Sequence, residues 1–136
     1  MEKDCIFCKI AAGEIPCAKV LENDKVLAFL DIAPVSLGHV LVITKEHYAN
    51  LETVPEAELI EAIKAVKKIG QALKIGLNVA GYNIVENNDP VAGQVINHLH
   101  FHIIPRAVND GLKVWPQGKY RDGEINDMAE VIKQAL

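Results

Sequence analysis

Histidine and apolar side chains alternate over His98-Leu99-His100-Phe101-His102-Ile103-Ile104. Period two is the period of a β-strand, so the run predicts a strand from His98 to Ile104, ended by Pro105. The alternation sets the three imidazoles on one face and Leu99, Phe101 and Ile103 on the other. That second face has to be covered. The imidazoles are left together in a cleft.

One long helix is available as the cover. From Pro55 to about Gly76, Leu59, Ile63, Val66, Ile69 and Leu73 recur at helical spacing, and Thr53 or Pro55 can start it. Strands are predicted over Ala18 to Glu22, Val26 to Asp31, His39 to Thr44 and Gly81 to Asn87, the first two joined as a hairpin by Asn23-Asp24. A short helix is predicted from Asp4 to Gly13, capped by Asp4, with Ile6, Phe7 and Ile10 on its apolar face. A last helix covers Glu124 to Leu136, with Ile125, Met128, Val131 and Ile132 on one side. The fold expected is α+β: a five-stranded antiparallel sheet with one long helix and shorter flanking helices, in one domain over residues 1–136.

Composition narrows the function. With 14 Lys+Arg against 18 Asp+Glu the net charge is -4, which argues against a duplex nucleic-acid partner. Hydrophobic residues at 50% and charged residues at 24% suit a globular chain. The longest apolar stretch, Val40 to Ile43, is too short for a membrane span, and Met1-Glu2-Lys3-Asp4 lacks the apolar run of a secretory signal. Three cysteines, an odd number, suggest reduced thiols in the cytoplasm.

A histidine face can ligate a metal or do nucleophilic and acid–base chemistry. The neighbouring residues favour the second. Asn87, Ala92-Gly93 and Gln94 offer neutral donors and a glycine loop beside the histidines. Such donors suit a phosphoryl group better than a hard cation, which takes carboxylates.

The run His98 to Ile104 resembles the His-φ-His-φ-His-φ-φ signature of the histidine triad (HIT) family of nucleotide-binding hydrolases and transferases. Further segments are similar: Cys5-Ile6-Phe7-Cys8-Lys9-Ile10 followed by Gly13-Glu14-Ile15-Pro16, Phe29-Leu30-Asp31-Ile32-Ala33-Pro34, Gly38 to Ile43, Ala92-Gly93-Gln94 and Ile104-Pro105-Arg106. The resemblance covers about residues 4–106 and is nearest the prokaryotic Hint-like branch. It implies hydrolysis of nucleoside monophosphate derivatives, purine phosphoramidates foremost, through a covalent nucleotidyl-histidine. Dinucleoside polyphosphate hydrolysis and a nucleotide-sensing module with little turnover stay open as alternatives.

Carried over residue by residue, the resemblance implies that His100 is the nucleophile, that His102 contacts the phosphate and that His39 orients His102. His98 is the remaining member of the triad. Asn87, Gly93 and Gln94 match phosphate-holding positions, Asp31 the ribose acceptor, and Ile6, Phe7, Ile10, Phe29 and Ile32 the base pocket. Val95 stands where many members carry Ser or Thr on the phosphate or leaving group, which implies weaker phosphoramidase activity or a different leaving group.

Cys5 and Cys8 form a Cys-x₂-Cys half-site, open to a metal, a redox or a plain packing role. In relatives with this pair, His47 and His98 complete a Cys₂His₂ zinc site, so a structural zinc is implied here, with no metal needed for the chemical step. A homodimer built on the long helix is implied as well, the sheet continuing across a two-fold axis and the segment 107–136, with Trp115 and Tyr120, reaching the partner's site.

Overall fold

A computed structural model describes residues 2–136. In chain order the elements are α1 (Ile6–Ala11), β1 (Lys19–Glu22), β2 (Val26–Leu30), β3 (Val40–Thr44), α2 (Glu56–Gly76), β4 (Gly81–Glu86), a 3₁₀ turn at Pro90–Ala92, β5 (His100–Arg106) and α3 (Glu124–Ala135). The strands form one five-stranded sheet in the order β1-β2-β3-β5-β4, every pair antiparallel. This is the expected α+β architecture.

The hairpin forms as its Asn predicts, with Asn23 Oδ1 accepting from the N–H groups of Lys25 and Val26. β2 and the Val40–Ile43 stretch of β3 read as unbroken apolar runs because both faces of the sheet are covered there. On one face Val26, Ala28, Val40, Val42, Leu99, Phe101 and Ile103 pack under α2. On the other, Leu27, Phe29, Leu41 and Ile43 pack with Phe7 of α1.

Helix α2 buries Ala62, Ala65, Val66, Ile69, Gly70 and Leu73, while Ile63, expected inward, is 47% exposed. Small residues face the sheet because the approach is close: a Cβ on Gly70 would lie 2.5 Å from the Tyr82 ring. Pro55 precedes the helix without a side-chain cap, so Thr53 does not start it. Helix α1 is capped by Cys5, whose Sγ accepts from the Cys8 N–H at 3.4 Å, and not by Asp4.

Two expectations at β5 are corrected. The strand begins at His100, because the His98 N–H turns back onto the Ile96 carbonyl at 2.8 Å. It also runs through Pro105 to Arg106. β3 pairing has ended at Val40–Ile103, so Pro105 lies beside β4 alone, where its missing N–H is tolerated. Beyond β5, Arg106 forks onto Asp110 at 2.7 and 3.1 Å and bends the chain. Helix α3 buries none of its residues, and Ile125, Met128, Val131 and Ile132 all stay exposed.

Candidate active site

The strand period carries His100 and His102 to the face away from α2, as the alternation requires, and His98, just before the strand, lies on the same side, its ring like that of His100 meeting Phe7 of α1. His98 ties two sites together through one residue.

His100 is 7% exposed, and its Nδ1–H donates to the His98 carbonyl at 2.6 Å. Its Nε2 is left with the lone pair. Burial holds its pKa below the ordinary imidazole value. A neutral imidazole with a fixed tautomer and one free basic nitrogen is a nucleophile.

The tautomer of His102 is set by a relay. The Val35 N–H donates to His39 Nδ1 at 3.1 Å, so His39 carries its proton on Nε2. That proton points to His102 Nδ1 at 2.9 Å, which leaves His102 with an Nε2–H donor. Burial lowers both pKa values, that of His102 to about 4. Asp31, His39 and His102 gather their polar atoms within 4.8 Å, but both His39 nitrogens and His102 Nδ1 are spent on Val35 and on each other, which leaves only His102 Nε2 among the ring nitrogens. Asp31 Oδ1 caps the turn by accepting from the Ala33 N–H at 2.8 Å, and Oδ2 lies 3.8 Å from His39 Nε2.

Asn87 is one residue past the Glu86–Phe101 pair, a register that sets it opposite His100. It also overlies Gly93, whose φ of +100° is a left-handed conformation that glycine adopts without strain. Gln94 Oε1 accepts from the Asp89 N–H at 2.8 Å and its Nε2 donates to the Ala49 carbonyl at 2.6 Å, so the amide braces the loop from within. Among the base-pocket candidates, Phe7 and Phe29 are buried, Ile10 is half-buried, and Ile6 is partly open. Ile32 is fully exposed, and Val95 is 88% exposed on the loop. A cleft of about 420 Å³ lies beside this face, lined by Val35, Asn83, Val85, Ile104, Arg106 and Trp115.

His98 is fully buried, and its ring turns toward the cysteines. The ligating atoms of Cys5, Cys8, His47 and His98 all lie within 4.8 Å of one another. Cys5 Sγ and Cys8 Sγ are 3.4 and 3.6 Å from His98 Nδ1, and Cys8 Sγ is 3.4 Å from His47 Nδ1. A tetrahedron with metal–sulfur bonds of ~2.3 Å and metal–nitrogen bonds of ~2.0 Å has sulfur–nitrogen edges of about 3.5 Å, so this donor set fits a zinc ion. The outer nitrogens are also engaged: His98 Nε2 donates to the Thr44 carbonyl at 2.7 Å, and His47 Nε2 lies 2.7 Å from Glu2 Oε2. Burial pushes the Cys8 thiol up and His98 down to about 4. Cys17 packs apart from this cluster, against the Phe7 side of the core.

Val35, Thr44 and Glu2 were not singled out from sequence. Val35 and Thr44 act through main-chain atoms, which leave no trace in residue identity.

A small α+β protein with a strand-borne histidine pair, a tautomer relay and a four-ligand cluster is thus defined by its geometry. The HIT domain family model matches residues 12–109. An uncharacterized HIT-like protein of Methanocaldococcus jannaschii is 51% identical over 130 residues, covering 96% of this chain and 97% of the relative. A Candida albicans protein named adenosine 5'-monophosphoramidase is 41% identical over 138 residues, 97% of this chain and 91% of its own. The crystal structure of a HIT family member from Bacillus subtilis superposes with a TM-score of 0.92 at 39% identity, covering 98% of both chains. A zinc-bound histidine triad family protein from Mycobacterium smegmatis does so with a TM-score of 0.77 at 29% identity, again over 98% of each. This chain belongs to the HIT family.

Proposed function

We propose that this chain hydrolyses nucleoside monophosphate derivatives at the α-phosphate, purine nucleoside phosphoramidates foremost, through a covalent nucleotidyl-His100. The observation that carries the reading is the 2.6 Å bond from His100 Nδ1 to the His98 carbonyl, which leaves Nε2 unprotonated. In the first step Nε2 bonds to phosphorus, the phosphorus–nitrogen bond breaks, and the departing amine takes a proton from solvent. Water then displaces His100, gives up a proton to solvent, and the nucleoside monophosphate is released. The His102 Nε2–H is a donor for a non-bridging oxygen, and the Gly93 turn with Asn87 supplies more. Asp31 takes the ribose hydroxyls on Oδ2, and Phe29 with Ile10 and Ile6 forms an apolar wall for the base. The named activity of the Candida albicans relative supports this substrate class.

The cluster of Cys5, Cys8, His47 and His98 is proposed to hold one structural zinc. Four protein ligands leave no open position, so the ion supplies a cross-link between α1, the turn after β3 and the entry to β5. A reducing, cytoplasmic setting keeps both thiols available. The zinc-bound Mycobacterium smegmatis relative supports the ion's identity.

Residues 1–136 are read as one domain that pairs with a second copy. β4 is an edge strand carrying Ile84, which is 50% exposed, and α3 presents Ile125, Met128 and Ile132 to solvent. A 12-residue helix that buries none of its residues is marginal in water, which supports its being covered by another subunit. Trp115 and Tyr120 are then free to reach the partner's site. Light scattering tests this: a monomer at micromolar concentration rejects the pairing.

The deciding experiment measures AMP release from an adenosine phosphoramidate and from a dinucleoside polyphosphate, for the native chain and His100→Ala. Phosphoramidate turnover lost in the variant upholds the reading. Preference for the polyphosphate moves the substrate class, and tight nucleotide binding without turnover of either replaces the enzyme with a sensor.

A further inference from the structure

Phe7 matches a base-pocket position by resemblance, yet its surroundings are different. It is 6% exposed, and its ring meets the His100 ring edge-to-face, with centroids 5.1 Å apart and planes at 76°. It meets the His98 ring in the same way at 5.9 Å and 81°. A side chain so enclosed has little surface left for a ligand.

Among the described residues the His100 ring makes one hydrogen bond, to the His98 carbonyl. That bond fixes a direction in the ring plane but permits rotation about the N···O line. An aromatic edge beside the ring blocks the rotation. Phe7 supplies that edge from the first turn of α1, between Cys5, which caps the helix, and Cys8. Both cysteines lie in the four-residue cluster with His98. The His102 ring, held by His39, also meets the His100 ring edge-on, at 5.0 Å and 66°. Of these three restraints two start from one cluster: the carbonyl of His98 and the helix that carries Phe7.

We propose that Phe7 is a positioning residue for His100, and that the Cys5–Cys8–His47–His98 cluster acts on the nucleophile by holding α1 and His98 in place. The proposal rests on the reading of His100 as the nucleophile. It gives the cluster a role in aiming a reacting atom, beyond holding the fold together.

The test compares Phe7→Leu with Leu27→Val. Leu27 belongs to the same core cluster but lies on β2, separated from β5 by β3. Phe7→Leu is expected to lower kcat about 10- to 100-fold with KM within about twofold, as small misplacements of reacting groups do. Nitrogen-15 NMR of the histidine rings, on protein without nucleotide, is expected to show the His100 Nδ1–H form replaced by exchange-broadened signals. Leu27→Val keeps the native kcat and the native ring signals. Chelation of metal from the native chain is expected to broaden the same His100 signals.

A raised KM with unchanged kcat in Phe7→Leu makes Phe7 a base wall and overturns the proposal. So do unchanged His100 signals in that variant, and unchanged signals after chelation overturn the link to the cluster. Where Phe7→Leu does not fold, Phe7→Met takes its place under the same criteria. If no substrate is turned over, the function reading fails at His100→Ala, while the NMR arm still decides whether Phe7 orders the ring.

Discussion

His39 Nε2 lies 2.9 Å from His102 Nδ1, and the Val35 main-chain N–H at the far side of the His39 ring fixes which of the two donates. His102 thereby keeps a donor on Nε2 without carrying a positive charge. His39→Ala removes the partner and frees both His102 tautomers. We expect kcat to fall roughly 10- to 100-fold, the usual effect of losing an orienting partner behind a site ligand. Steady-state kinetics of the variant, with thermal unfolding as the control for folding, check it. A native kcat would mean that His102 needs no orientation from His39.

The same buried rings set a pH dependence of stability. His102 titrates near 4 in the folded chain, and an unfolded histidine near 6.5. Between those values the unfolded chain binds more protons, so acid favours unfolding. The stabilisation from neutral His102 is complete above about pH 6.5 and is lost as pH falls toward about 4. His39 shifts in the same direction, also through burial. Urea unfolding at pH 7, 5.5 and 4.5 should show a falling midpoint, and His102→Gln should flatten part of that fall. An identical slope in the variant would assign the dependence to other groups.

Zinc content gives a third measurement. One ion per chain is expected, and its removal by a chelator, or Cys8→Ser, should lower stability by about 3 kcal/mol, since ligand binding to the folded state adds that much at ordinary excess over Kd. For a chain of this length the melting temperature should drop by roughly 10 °C. A metal-free preparation with the same melting temperature would remove the structural zinc.

Packing offers a test that does not depend on function. Gly70→Ala gains helix propensity of about 1 kcal/mol but drives a methyl group into the Tyr82 ring, and overpacking costs about 1–3 kcal/mol. A net loss is expected. Gly76→Ala meets nothing within 4 Å and should be neutral or slightly stabilising. Denaturant midpoints of the pair separate the effects, and equal changes would mean that the helix sits further from the sheet.

Much of this is legible in the amino-acid sequence. The alternation at His100–Ile104 fixes which side chains face α2, because a strand has no other way to dispose of them. The pair Cys5 and Cys8 with His47 and His98 was legible only through resemblance, since ligands scattered over 93 residues have no local pattern. What was missed falls into two kinds. His98 leaves the strand through a main-chain turn onto Ile96, and no side-chain period records such a turn. Gln94 spends its amide on Asp89 and Ala49, contacts that depend on how two loops meet. The inward face of α2 was misjudged at Ile63 because the sheet approaches closely enough to select Ala62, Ala65 and Gly70 over larger residues.

Val95 carries the last prediction. It is 88% exposed and follows Gln94, whose two side-chain bonds to Asp89 and Ala49 hold that stretch of loop. A hydroxyl at this position would be presented on a braced backbone, so little ordering would be required for it to donate. A single hydrogen bond is worth about 0.5–1.5 kcal/mol net, or roughly two- to tenfold in rate when it forms in the transition state. Val95→Ser should therefore raise kcat/KM for phosphoramidates with amine leaving groups by that factor, and change little for leaving groups that cannot accept the bond. The comparison needs at least two leaving groups on one nucleotide, measured with both proteins. Equal gains on all of them would place the hydroxyl on the phosphate, and no gain on any would mean that residue 95 does not face the reacting bond.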